Sequence, residues 1–264
     1  MRLIKQPPCS VSFVVTALNE EVNIEGTITE IYASIKGMVD DYEIILVNDG
    51  STDQTGPLME KLAAADPKIR VFHNEKNLNL GGAFKRGLKE VRLEHVMWLP
   101  GDNAVPAKNV RIILSKVGEA DIVVPYLLDP RNRPFLRRIV SRTYTILLNT
   151  LFGLSLRYYN GGVVHRRDLI QSIDITTDSF ACFAEALIKL LRRGSSYVEV
   201  GYISTERTAA ANASSAFRFK NMVKVISTIW YLYRTCVLGG GGPNKAVRPT
   251  ISMSKEPLTA GETH

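Results

Sequence analysis

At 264 residues, with 45% hydrophobic and 22% charged residues, the chain can build one large domain or two small ones, and wholesale disorder is excluded. A net charge of +7 favours anionic partners: nucleotides, phospholipid surfaces or nucleic acid. The three cysteines, Cys9, Cys182 and Cys236, stand far apart with no Cys-x-x-Cys, which excludes a disulfide framework or zinc site and suits a reducing compartment.

Met1 to Ser10 has no apolar core of the signal-peptide kind, and no run of about 18 apolar residues follows, so no helix is expected to span a bilayer. Val11–Ala17 is β-rich and reads as a first buried strand, followed by the polar turn Leu18-Asn19-Glu20-Glu21. Ile24, Ile28, Ile31 and Ile35 then fall at helical spacing. Glu43–Val47 is a second strand, closing on the turn and cap residues Asn48-Asp49-Gly50-Ser51-Thr52-Asp53. Thr55–Ala65 reads as a helix, Ile69–His73 as a third strand, and Asn77–Gly87 as the approach to another helix. Val96–Leu99 is a fourth strand, which Pro100 and Gly101 end, so Asp102 and Asn103 sit on a tight turn. Asp121–Pro125 is a fifth strand.

Alternating strands and helices with short polar turns predict a mainly parallel sheet flanked by helices. Ligands bind such a sheet at the carboxyl ends of its strands. The first of those turns, Ala17 to Glu21, has no glycine, so the Gly-x-Gly-x-x-Gly dinucleotide fingerprint is missing. Carboxylates at the strand ends suit metal-chelated phosphates, or hydrogen bonds to a base and ribose. Asp102 beside Asn103 offers an oxygen corner for Mg²⁺ or Mn²⁺ carrying a phosphate, or else is an ordinary strand-to-helix turn.

The second half changes character. Arg131, Arg133, Arg137, Arg138 and Arg142 precede the apolar Tyr144–Leu156, a segment that fits either a membrane interface or a core helix with a solvated basic approach. Asp178–Leu191 reads as an amphipathic helix containing Glu185, and Tyr197–Ile203 as a late strand. Phe217–Leu238 is apolar but interrupted by Lys220, Lys224 and Arg234, which suits a helix lying flat on a bilayer. Gly239–His264 reads as a flexible tail. The basic residues are not interleaved with aromatics in a nucleic-acid-binding module, so no nucleic-acid partner is expected.

Four blocks now stand in order: Val14–Glu21, Val47–Thr55, Asn77–Gly87 and Leu99–Asn103. Together they resemble a family 2 glycosyltransferase of GT-A fold, most similar to the dolichyl- or polyprenyl-phosphate sugar transferases. The likeness runs over roughly residues 10–208, continuing in Ser141-Arg142 with Asn149, Phe183-x-Glu185, Glu199-Val200 and Arg207. It implies transfer of a sugar from a nucleotide sugar with inversion, onto a lipid phosphate. Several such transferases carry carboxy-terminal spans, whereas here only Phe217–Leu238 is available, so peripheral attachment at the cytoplasmic face of a membrane is expected. The likeness also implies a nucleotide-sugar site at Thr16, Leu18, Asn19, Glu20, Asp49, Gly50, Ser51, Asn77, Gly81, Lys85 and Asp102. Asp102 and Arg207 take the catalytic positions, and Arg133, Ser141, Arg142, Glu185 and Arg207 the acceptor positions.

The chain departs from the family pattern in two places. Asn48 replaces the first Asp of Val-Asp-Asp. The Asp-x-Asp metal motif is reduced to Pro100-Gly101-Asp102, with Ala104 for the Gln that follows in the lipid-phosphate branch. Asp102, helped by Asn103, is then left to hold Mg²⁺ or Mn²⁺, and a weaker hold on the ion is expected. The domain reading is a catalytic unit over 1–215 (nucleotide half 10–125, acceptor half 126–215), an interface helix over 216–238 and the tail. A hydroxyl acceptor would instead need a carboxylate base, for which Asp178 and Glu185 are the candidates; a structural Glu185 paired with an arginine is the plainer reading. An inactive nucleotide-sugar binder and a homo-oligomer stay open at this point.

Overall fold

The structure, a computed structural model, describes residues 9–129, 134–203 and 227–238. The tail 239–264, Arg133, Arg207 and residues 216–226 of the 216–238 segment lie outside the described residues; the part described, 227–238, is helical. In chain order the elements are β1 (Ser10–Ala17), α1 (Ile24–Ile35), β2 (Asp41–Asn48), α2 (Thr55–Ala65), β3 (Ile69–His73), α3 (Asn79–Leu88) and β4 (His95–Pro100). There follow α4 (Ala107–Leu114), β5 (Ile122–Leu127), α5 (Phe135–Phe152), β6 (Val164–Arg166), α6 (Arg167–Gln171), α7 (Cys182–Arg192) and β7 (Tyr197–Tyr202).

Among the described residues the strands form one sheet in the order β3-β2-β1-β4-β6-β5-β7. The pairs β3·β2, β2·β1 and β1·β4 are parallel, as helical crossovers between consecutive strands require. Both faces of the sheet are covered, so the central strands read as unbroken apolar runs. Val14, Ile45, Val47, Val96 and Trp98 pack on one side with α3, α5 and α7. Phe13, Val15, Ile44, Leu46, Met97 and Leu99 pack on the other with α1, α2 and α4.

Four features differ from the sequence reading. β6 runs antiparallel between β4 and β5, pairing Met97 with Val164 and Val123 with Val164; three residues are too few for a period-2 pattern to register. That pairing reaches only Ile122 and Val123, so Pro125 needs no N–H toward β6 and β5 continues through it to Leu127. α7 starts at Cys182 and not at Asp178, because Ser and Thr side chains build a tight turn before it: Ser179 N donates to Thr177 Oγ1 and Ala181 N to Ser179 Oγ. α5 begins inside the expected basic approach, at Phe135, and ends at Gly153, whose φ of 65° is the left-handed C-cap.

Candidate functional site

The carboxyl ends of β1, β2 and β4 lie side by side with β1 in the middle. The turns after β2 and β4 both lengthen the ladder on β1: Asp49 N donates to Ala17 O at 2.9 Å, and Gly101 N to Thr16 O at 3.0 Å. Asp49 and Asp102 therefore flank the end of one strand. Only glycine fits at 101, where a Cβ would lie 2.6 Å from the Ala17 Cβ.

The turn after β1 is zipped to the turn after β2. Asn19, held at φ 57°, accepts the Thr52 N–H on Oδ1 and donates its own N–H to Ser51 Oγ. Glu20 N donates to Thr55 Oγ1 at 2.7 Å, and Glu21 exchanges hydrogen bonds with Asp53 and Gln54. Leu18 projects outward, and Thr16 is buried with its hydroxyl accepting the Trp98 indole N–H at 3.0 Å. The Glu20 side chain accepts from Asn23 Nδ2 at 2.7 Å. Burial raises the Glu20 carboxyl, and the nearby carboxylates of Asp102 and Asp53 push it the same way.

Asp49 is only 4% exposed. Its Oδ1 accepts from Asn74 Nδ2 at 2.8 Å and from the Leu78 backbone at 2.9 Å, so it holds the segment that carries Asn77 and starts α3. Burial raises its carboxyl despite those bonds. Gly50, at φ 78°, lets the chain pass under that segment; a Cβ there would lie 2.9 Å from Asn77 N. Asn48 is accounted for by His73: its Nδ2 donates to His73 Nδ1 at 3.0 Å, its Oδ1 accepts the Ser51 N–H, and His73 Nε2 faces Glu60. An aspartate could not make that donation. No local sequence pattern marks this pairing, whose partners lie 25 residues apart.

After β4, the Thr27 hydroxyl on α1 donates to Gly101 O and accepts from Asn103 N, both at 3.0 Å. That clamp sets Asn103 at φ 53° and leaves its Oδ1 buried without a partner. Asp102 accepts from Ala104 N at 3.1 Å, and burial raises its carboxyl. Among the described residues no three His, Cys, Asp or Glu side chains group as a metal cage. The carboxylate of Asp102 fits a Mg²⁺ or Mn²⁺ ion arriving on a diphosphate, and does not fit a resident ion with its own protein shell, since the Asn103 amide expected to help is buried against Gly26 of α1.

Lys85 and Gly81 of α3 face the segment before α7: Lys85 Nζ lies 2.7 Å from Asp178 Oδ1, and Gly81 N donates to Asp178 O. Ser141 and Arg142 stand on α5, with Arg142 exposed. Glu185 is fully buried and bonds only to protein groups: the Thr176 N–H and hydroxyl, the Thr177 N–H and Lys189 Nζ at 2.6 Å. This corrects its place among the acceptor-contacting residues, since its carboxylate has no open face, and its ionic partner is a lysine one turn on, not an arginine. Burial alone would raise that carboxyl, but these bonds outweigh it and hold it below the usual range. Thus the structure gathers Thr16 to Glu20, Asp49 to Ser51, Asn77, Asp102 and Asn103 around one edge, with Lys85 on the helix that follows. Arg133 and Arg207 are outside the described residues.

The sequence profile described as Glycosyl transferase family 2 matches residues 12–182. Polyprenol monophosphomannose synthase of Mycolicibacterium smegmatis is 30% identical over 199 residues, covering 69% of this chain and 74% of that protein. Undecaprenyl-phosphate mannosyltransferase of Micrococcus luteus is 25% identical, covering 66% and 76%. Glycosyltransferase AglD of Haloferax volcanii is 27% identical over 70% of this chain, which spans 31% of that longer protein. In fold, the chain is similar to glucosyl-3-phosphoglycerate synthase from Mycobacterium tuberculosis, solved with Mn²⁺, UDP and glucosyl-3-phosphoglycerate. The TM-score is 0.62 at 22% identity, covering 84% of this chain and 79% of that one. The fold is therefore the GT-A arrangement.

Proposed function

The chain belongs to glycosyl transferase family 2 and is a glycosyltransferase, and from that premise we propose that it moves a sugar from a GDP- or UDP-linked donor onto a polyprenyl-phosphate-type lipid. Transfer inverts the anomeric carbon and takes place at the cytoplasmic face of a membrane. The observation that carries this reading is the meeting of Glu20, Asp49 and Asp102 on adjacent strand ends, with Asp49 and the Gly101 that precedes Asp102 both bonded to the end of β1. The lipid acceptor is supported by relatives named for transfer to polyprenol and undecaprenyl phosphates.

In this mechanism the turn carrying Asn19, Glu20 and Ser51 receives the base and ribose. Asp49 acts by fixing the segment with Asn77, and Lys85 meets the diphosphate. A divalent ion brought by the donor would be held by Asp102 and would supply positive charge for the departing diphosphate. A lipid phosphate attacks with its own oxyanion, so no protein base is required. Ser141, Arg142, Arg133 and Arg207 are the candidates to clamp that phosphate, guanidinium being matched to it in shape and charge.

No helix of the described residues is long and apolar enough to cross a membrane. α5 instead turns Leu136, Ile139, Val140 and Leu147 outward along one face, with Arg142 exposed beside them. Apolar side chains flanked by arginine suit attachment to an anionic lipid surface. The test is to incubate the purified chain with GDP-mannose or UDP-glucose and a polyprenyl phosphate in anionic vesicles. The expected product is a glycosylated lipid phosphate of inverted anomeric configuration. Equal turnover onto soluble sugars, with no prenyl phosphate present, would replace the lipid acceptor with a saccharide.

A further inference from the structure

Glu185 places a carboxylate with no exposed surface on a helix otherwise rich in buried apolar residues. A buried charge is tolerated only with good partners, and here they are Lys189 and three donors from Thr176 and Thr177. The group so fixed is the short segment just before α7. Phe183, two residues earlier on the same helix, packs 4.6 Å from the Trp98 ring of β4 and 5.2 Å from the Phe84 ring of α3. The segment is thus anchored from below by Glu185 and against the donor half by an aromatic cluster.

It lies flush on α3. Asp178 O accepts the Gly81 N–H at 2.9 Å, and a Cβ at Gly81 would be 2.7 Å from Thr177 O. From that fixed backbone the Asp178 carboxylate reaches Lys85 Nζ at 2.7 Å, and Thr176 O lies 3.5 Å from the same nitrogen. A lysine ammonium carries three N–H groups, so two turned to this segment leave one to present elsewhere.

We propose that Asp178, held by the Glu185-braced segment, is a positioning residue that fixes the Lys85 ammonium for the donor diphosphate. The inference rests on the reading of Lys85 as a diphosphate contact and adds what sets its direction. A lysine already confined loses less rotamer freedom when a phosphate arrives. It also gives Glu185 a part in the reaction without any contact to the acceptor.

The experiment is calorimetric titration of UDP and of GDP into the full chain, Asp178→Asn, Lys85→Met and the double variant. Each single variant is expected to bind the nucleotide about fivefold more weakly, the scale of a partly exposed ion pair. The double variant should bind no more weakly than Lys85→Met alone, because Asp178 acts through that lysine. Asp178→Glu should recover affinity to within about twofold, and Asp178→Asn should move the melting temperature by no more than about 3 °C. Tighter binding by Asp178→Asn would overturn the proposal by making the carboxylate a competitor of the phosphate. Additive losses would overturn it too, and so would unchanged nucleotide affinity with a lower kcat, which is how a base acting on an acceptor hydroxyl would behave. A wild-type chain that binds neither UDP nor GDP would overturn the donor-site reading itself, a result distinguishable from binding that ignores Asp178.

Discussion

Gly101→Ala tests whether the turn after β4 serves the reaction or only ends a strand. The new Cβ would lie 2.6 Å from the Ala17 Cβ, 3.1 Å from Thr16 O and 3.3 Å from the Ala17 Cα. Two of these are backbone atoms of the central strand, so no side chain can simply swing away. Restoring an ordinary 3.4 Å contact shifts the turn by about 0.8 Å relative to β1, and overpacking of this kind costs about 1–3 kcal/mol. A displacement near 1 Å at a reacting centre costs on the order of 100-fold in rate. The expectation is a variant that melts a few degrees lower but is folded at assay temperature, with kcat/KM for the nucleotide sugar about 100-fold down. Gly161→Ala is the control, because its nearest neighbour would be 3.4 Å away, an ordinary contact. If Gly101→Ala loses the expected stability and yet turns over within twofold of the parent, the turn bearing Asp102 is not at the reacting diphosphate.

Asp102→Asn removes the carboxylate expected to meet a donor-borne ion. It should lower kcat/KM about 100-fold and abolish the response to added Mn²⁺, read in a metal titration of initial rates. His165 is wholly buried, and burial alone pushes its imidazole down to about 3, against an ordinary value of 6.5. Between those values only the unfolded chain takes up the proton, so its contribution is intact above pH 6.5 and lost as pH falls toward 3. This amounts to on the order of 5 kcal/mol, with His95, also held down mainly by burial, acting in the same direction. Urea midpoints between pH 7 and 4 should therefore fall, less steeply in His165→Gln. Replacing Ile139 and Val140 together by Glu puts charge on the exposed face of α5; vesicle flotation should drop at least tenfold while UDP or GDP affinity stays unchanged.

Much of the nucleotide half was legible because its boundaries carry their own chemistry. Thr55–Ala65 and Ile69–His73 were read to the residue, framed by the polar cluster from Asn48 to Asp53 and by Asp66-Pro67. The strand ends followed from apolar runs that stop at Asn19, Asn48 and Pro100. What escaped depends on long-range partners. β6 is three residues whose strand character exists only because β4 and β5 accept it on either side. That Asp49 grips the Leu78 backbone could not be read, since a backbone amide leaves no mark in the side-chain pattern. Glu185 presented itself as a charge on an amphipathic helix, and only packing reveals that its polar neighbours come from the turn before that helix.

The two departures from the family pattern bear on one quantity, the negative charge in the cleft. Asn48 and Pro100 stand where the resemblance expects aspartates, so two carboxylates are missing beside the end of β1. The three that remain, Glu20, Asp49 and Asp102, are each already pushed toward the neutral form, chiefly by burial. Further carboxylates at the same strand ends would raise them more and would require a cation to keep the group ionised. Their loss lowers the repulsion a diphosphate meets, and with it the need for an ion held by the protein itself. Asn48 keeps its neighbours in place through neutral hydrogen bonds to His73 and Ser51. Pro100 keeps the strand in register opposite Thr16. The scaffold of the cleft is thus retained while its charge is reduced, which suits a donor that arrives with its own cation and meets the Lys85 ammonium.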